Sequence, residues 1–121
     1  MHRIIASLAA LASLMLAMTP ADAHAHLGHA NPRVGSSVQT APREVTLWFT
    51  EKLEPAFSRI EVRDASGKRV DTGKAMVDTA NPVEMRIAVK PLPPGTYKVF
   101  WHVLSVDTHT TEGNFSFRVG R

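Results

Sequence analysis

Five of the six histidines in this 121-residue chain lie after residue 23, and three of those, His24, His26 and His29, fall within six positions. Imidazole nitrogens suit Cu(II), Ni(II) and Zn(II), with Cu(II) highest in the affinity order for nitrogen donors. His24 has a further use. Ala21-Asp22-Ala23 is a small-residue cleavage site of the kind that ends a secretory signal peptide. Ahead of it lie His2 and Arg3, the apolar run from Ile4 to Met18, and the helix-breaking Pro20. Cleavage after Ala23 makes His24 the first residue, and one residue then offers two nitrogens, the α-amino group and the imidazole. Such a pair can close a chelate ring on a metal, which no internal histidine can do. The α-amino group has an ordinary pKa of about 8, so a metal displaces its proton at neutral pH.

A second cluster is Asp107-Thr108-His109. In extended backbone, residues two apart point to the same side, so the Asp107 carboxylate and His109 imidazole can converge on one ion. The competing expectation is a turn, with Asp107 accepting backbone N–H bonds and His109 merely exposed. Taken alone, this segment favours the turn.

The elements that must position these groups read as strands. Val45, Leu47 and Phe49 alternate with Thr46, Trp48 and Thr50, and Ile60 and Val62 alternate with Arg59, Glu61 and Arg63. The same period-two pattern recurs at Val83 to Val89, Tyr97 to Leu104 and Asn114 to Val119. It is the signature of half-buried strands. Shorter pieces around Ser37-Val38 and from Arg69 to Val77 can add two more. Asp64 to Gly67, Thr79 to Pro82 and Pro91 to Gly95 carry turn chemistry. Roughly seven strands predict an all-β fold, a single antiparallel Greek-key sandwich of immunoglobulin-like outline, with an open barrel as the alternative. Phe115, Phe117 and Trp101 belong to its core, as does Met85, and Met76 is expected to be packing. Trp48 falls on the face opposite Leu47 and is expected exposed or near the site. His102, on a polar register, is expected to be satisfied or exposed.

Removing residues 1–23 from the 121 leaves 98, enough for one domain, spanning 24–121. Arg3 and Asp22 leave together, so the net charge stays +3. No Lys/Arg cluster carries interleaved aromatics, which argues against a nucleic-acid partner. The chain has no cysteine, so thiolate metal chemistry is excluded. The signal's apolar run is shorter than the roughly 20 residues that span a bilayer. No second such run follows, and the expected product is a monomer without stable membrane insertion. It would work beyond the inner membrane, in the periplasm of a Gram-negative cell.

His24-Ala25-His26-Leu27 followed by Pro32 resembles the mature start of the periplasmic copper-resistance protein C (CopC) family. Leu47 to Glu51, Gly95 to Trp101, Ser105 to His109 and Gly113 to Val119 are similar to further stretches of that family, in consistent order. The resemblance implies a small Greek-key β domain that binds Cu(II) at one end. His24 would supply its amine and imidazole, His109 the trans imidazole, and Asp107 a further ligand or a close acceptor. That arrangement is a histidine brace. His26 matches a position that varies in the family, and His29 would be an auxiliary ligand at most. Glu51 resembles a family acid near the copper end. The implied partner is an inner-membrane copper transporter of the CopD type. Some family members carry a second, Cu(I) site rich in methionine. After residue 23 this chain has only Met76 and Met85, and it has no histidine between residues 30 and 101, so no such site is expected.

His26 offers a different chemistry. A free amine, a non-proline residue and a histidine at position three form the amino-terminal copper/nickel motif, which also uses two deprotonated backbone amides. Ala25 permits it, whereas proline would not. The two arrangements compete for one amine, and the brace alone gives Asp107 and His109 a purpose. The expected function is Cu(II) binding for resistance, sequestration or delivery, without catalysis. The alternative is a copper-dependent oxidative enzyme of the polysaccharide monooxygenase type. One tyrosine and two tryptophans supply little of the flat aromatic face such an enzyme needs. A third class is an adhesion domain with incidental histidines.

Overall fold

A computed structural model describes residues 25–120. The expected signal segment, residues 1–23, and His24 lie outside the described residues. Among these, eight strands form: β1 (Leu27–Asn31), β2 (Ser37–Val38), β3 (Glu44–Phe49), β4 (Arg59–Arg63), β5 (Met76–Val77), β6 (Glu84–Ala88), β7 (Gly95–Leu104) and β8 (Thr110–Val119). They build two four-stranded sheets, ordered β1-β3-β6-β5 and β2-β8-β7-β4. Of the consecutive pairs described, β5–β6 and β7–β8 stay within one sheet; the other connections cross between sheets, as a Greek-key sandwich requires. Pairing is antiparallel except for the short β2, which runs parallel to β8.

The alternation read from sequence becomes the inner faces of the two sheets. Val45, Leu47 and Phe49 of β3 with Met85 and Ile87 of β6 face Ile60, Val62, Tyr97, Val99, Val103, Phe115 and Phe117, all buried. Tyr97 buries its ring and donates its hydroxyl to the Pro93 carbonyl, the corner bond of immunoglobulin-like domains. Burial pushes its pKa up.

Three expectations need correction. The sequence did not predict β1, because Leu-Gly-His-Ala-Asn lacks β-branched residues; pairing with β3 makes it a strand. Met76 is not packing but 58% exposed, since in the two-residue β5 it is Val77 that turns inward. Trp101 is only half-buried and meets Phe49 edge-on, with ring centroids 5.3 Å apart and planes at 75°.

Gly113 lies opposite Trp101 in the β7–β8 ladder. A Cβ at Gly113 would sit 2.6 Å from Cζ2 of the indole. The Gly113→Ala variant is therefore expected to lose about 1–3 kcal/mol from overpacking. Thermal melting checks this, and an unshifted midpoint would show that the indole yields freely.

Candidate metal centre

The β7–β8 connection runs from Ser105 to His109. Ser105 is fully buried. Its N–H donates to the His109 carbonyl at 2.9 Å, and the Thr108 N–H donates to the Ser105 carbonyl at 2.9 Å. Thr108 closes the turn at φ 73°, a left-handed conformation that β-branched residues rarely adopt. Within this turn Oδ1 of Asp107 stands 3.5 Å from Nδ1 of His109, with both side chains about half exposed (45% and 47%). The two side chains do meet, through the turn that this segment alone favoured and not through extended backbone. The principal partner of Asp107 is one that sequence reasoning missed: the Ser105 hydroxyl donates to Oδ1. That bond holds the Asp107 pKa below the usual carboxylate value; desolvation opposes it, and the nearby His109 adds to the lowering.

The start of the described chain is fastened at the same end. Ala25 is completely buried, and its carbonyl accepts the Thr111 hydroxyl at 2.6 Å. Thr111 lies on β8, two residues past His109. The His26 N–H donates to Oγ1 of Thr50 at 2.9 Å, and the Thr50 N–H donates back to the His26 carbonyl at 2.9 Å. Residues 25 and 26 therefore join the end of β3 in one sheet to β8 in the other. The His26 side chain is exposed. His24 lies outside the described residues, and among the described residues no group of three or more His, Cys, Asp or Glu side chains could hold a metal ion.

The remaining candidates lie elsewhere. His29 stacks on Trp48, with ring centroids 4.4 Å apart and planes 9° from parallel. The Trp48 indole N–H donates to Oε1 of Glu84 at 3.0 Å. These groups occupy the outer face of the first sheet, and His29 is not brought to Asp107 and His109. His102 sits between Arg59 and Glu112 in the ladder, in an open groove of about 450 Å³ that Phe100 and Asn114 also line. Contrary to expectation, its Nδ1 is buried without a hydrogen-bond partner among the described residues.

Fold and site together define a class: a small two-sheet sandwich that presents an imidazole–carboxylate pair beside the buried entry of its chain. The CopC domain matches residues 27–120. The chain belongs to the CopC family. It is 33% identical over 123 residues to copper resistance protein C of Xanthomonas campestris pv. juglandis, covering 97% of this chain and 96% of that protein. It is 37% identical over 98 residues to protein YobA of Escherichia coli (strain K12), covering 80% and 79% respectively. The crystal structure of CopC from Methylosinus trichosporium OB3b superposes with a TM-score of 0.76 at 35% identity, covering 80% of this chain and 94% of that one. Where the relatives' names state a function, it is copper resistance or copper transport.

Proposed function

We propose that the processed chain is a periplasmic Cu(II)-binding protein whose histidine brace consists of the His24 amine and imidazole and the His109 imidazole. Asp107 contributes its carboxylate to the same ion. The anchoring of Ala25 carries this reading. Its carbonyl is bonded to Thr111, two residues past His109, and residue 24 is covalently attached to it, one Cα–Cα step of about 3.8 Å away. A new amine at residue 24 is thereby restricted to the end where Asp107 and His109 meet.

The His26 contacts support the brace over the amino-terminal motif. That motif must deprotonate the His26 amide and place it on the metal, which would break the bond to Thr50. The ion is cargo, held for sequestration or passed to a membrane transporter of the CopD type, and the protein acts as a monomer.

Replacing His109 with Ala tests the site. Chelator competition is expected to show an affinity loss larger than the roughly 10–100-fold that removing an outer-shell partner costs. The Cu(II) electron paramagnetic resonance spectrum should change with it. Unchanged affinity and spectrum would sink the brace.

A further inference from the structure

Asp107 and His109 sit on an exposed turn, yet neither side chain is left to find its own place. The Asp107 carboxylate and the His109 backbone both connect to one buried atom, Oγ of Ser105. A serine hydroxyl has one proton to give and two lone pairs to accept with. The His109 carbonyl, 3.2 Å from Oγ, already accepts the Ser105 N–H. The charged Asp107 Oδ1 is the closer and stronger acceptor, so the proton goes there. The His109 N–H in turn approaches Oγ at 3.3 Å. A chain of bonds thus runs from the His109 backbone through Ser105 to the Asp107 carboxylate, whose Oδ1 also faces Nδ1 of His109.

Two consequences follow from this geometry. Oδ1 of Asp107 is occupied, so Oδ2 is the oxygen left to approach an ion. The bond from the His109 N–H fixes the backbone that carries the imidazole, and the Oδ1 contact with Nδ1 ties the ring itself to the carboxylate. An exposed aspartate and histidine would otherwise lose rotamer freedom when the ion arrived, at a cost in affinity. Ser105 is itself held rigidly, because it is completely buried, bridges to Leu53, and its backbone closes the turn on both sides.

We infer that Ser105 is the positioning residue of the copper site, holding Asp107 and His109 in their binding arrangement before the ion arrives. The inference rests on the copper reading of this end and adds a residue that touches no metal.

The test is a double-variant cycle on processed protein: wild type, Ser105→Ala, Asp107→Ala and the pair, each titrated with Cu(II) against a competing chelator. Ser105→Ala is expected to weaken binding about 10–100-fold in the wild-type background, and several-fold less where Asp107 is already alanine. Its copper spectrum should shift, while the metal-free variant still melts cooperatively above the assay temperature. Ser105→Thr, which keeps the hydroxyl, should restore the wild-type spectrum.

Wild-type affinity and spectrum in Ser105→Ala would overturn the inference. So would equal losses in both backgrounds, or a variant that no longer melts cooperatively, since either marks a purely structural serine. The outcomes also separate the two claims. If His109→Ala leaves binding intact, the copper site is misassigned. If His109→Ala abolishes binding while Ser105→Ala does nothing, only the positioning role fails.

Discussion

A chain that begins at His24 is expected to bind Cu(II) more than about 100-fold more tightly than the same chain with one additional residue in front. That figure exceeds what loss of an outer-shell partner costs, because a direct donor is removed. Extension turns the His24 amine into an amide, which donates only after the metal displaces its proton, and sets the new amine one residue away from the imidazole, so the brace's single amine–imidazole ring cannot form. The domain cannot compensate by sliding one residue. Ala25 is buried and bonded to Thr111, and β1 is locked to β3 at Leu27 opposite Phe49 and His29 opposite Trp48. A one-residue slip would turn the buried Ala30 out and an exposed neighbour in. A cleavable extension makes the comparison within one preparation. Affinity and spectrum should return on cleavage, with the melting midpoint unchanged throughout. Equal binding by both forms would remove the central claim.

The strands were legible because the core faces are built from β-branched and aromatic residues at period two, a pattern that survives without knowledge of the partners. What escaped was set by tertiary pairing. Leu27–Asn31 has no strand propensity to speak of and becomes β1 only where β3 offers its open edge. In β5 the strand is two residues long, too short for a pattern to say whether Met76 or Val77 faces inward. Trp48 fell on the correct face, outside the core, but its partners His29 and Glu84 come from two other strands that no local window contains.

The candidate site was legible in its Asp and His side chains and not in the residues that hold them. Asp107 and His109 announce themselves by residue type, and their spacing allowed convergence. Extended backbone was the wrong route to it and the turn, which this segment taken alone favoured, the right one, although threonine gives no warning of the positive φ at Thr108. Ser105, Thr50 and Thr111 are hydroxyl residues in strand-like surroundings, where serine and threonine are common and unremarked. Their roles come from contacts across the sandwich, such as Thr111 to Ala25, 86 positions away in sequence. A hydroxyl two residues before an aspartate was the one local signal for Ser105, and it gains weight only once burial is known.

At the far side of the molecule, Asp71→Ala is expected to cost about 2–4 kcal/mol of stability and lower the melting midpoint by about 10 °C or more. The Asp71 side chain is completely buried. Its carboxylate accepts the Val62 N–H at 2.7 Å, the Gly73 N–H at 2.7 Å and Nε of Arg69 at 2.9 Å. Val62 lies on β4, the last strand of its sheet, so Asp71 and the Val70 N–H bond to the Val62 carbonyl together cover that edge. The same segment reaches the other sheet, where Thr72 donates to Ala88 and Asp71 bridges to Val89. Truncation leaves the Val62 N–H buried without its acceptor, which alone costs about 1–3 kcal/mol, and loosens the strap between the sheets. Arg69 is partly exposed and recovers water, so its loss counts little. Asp71→Asn keeps an oxygen of the same shape and should fall between the two. Val62 pairs with Val99, roughly 16 Å along β7 from Leu104 and the Ser105–His109 turn. Copper affinity of the folded Asp71→Ala protein should therefore match wild type. A melting midpoint within about 2 °C of wild type would refute the strap. A change in copper affinity without unfolding would mean that the two ends of the sandwich are coupled.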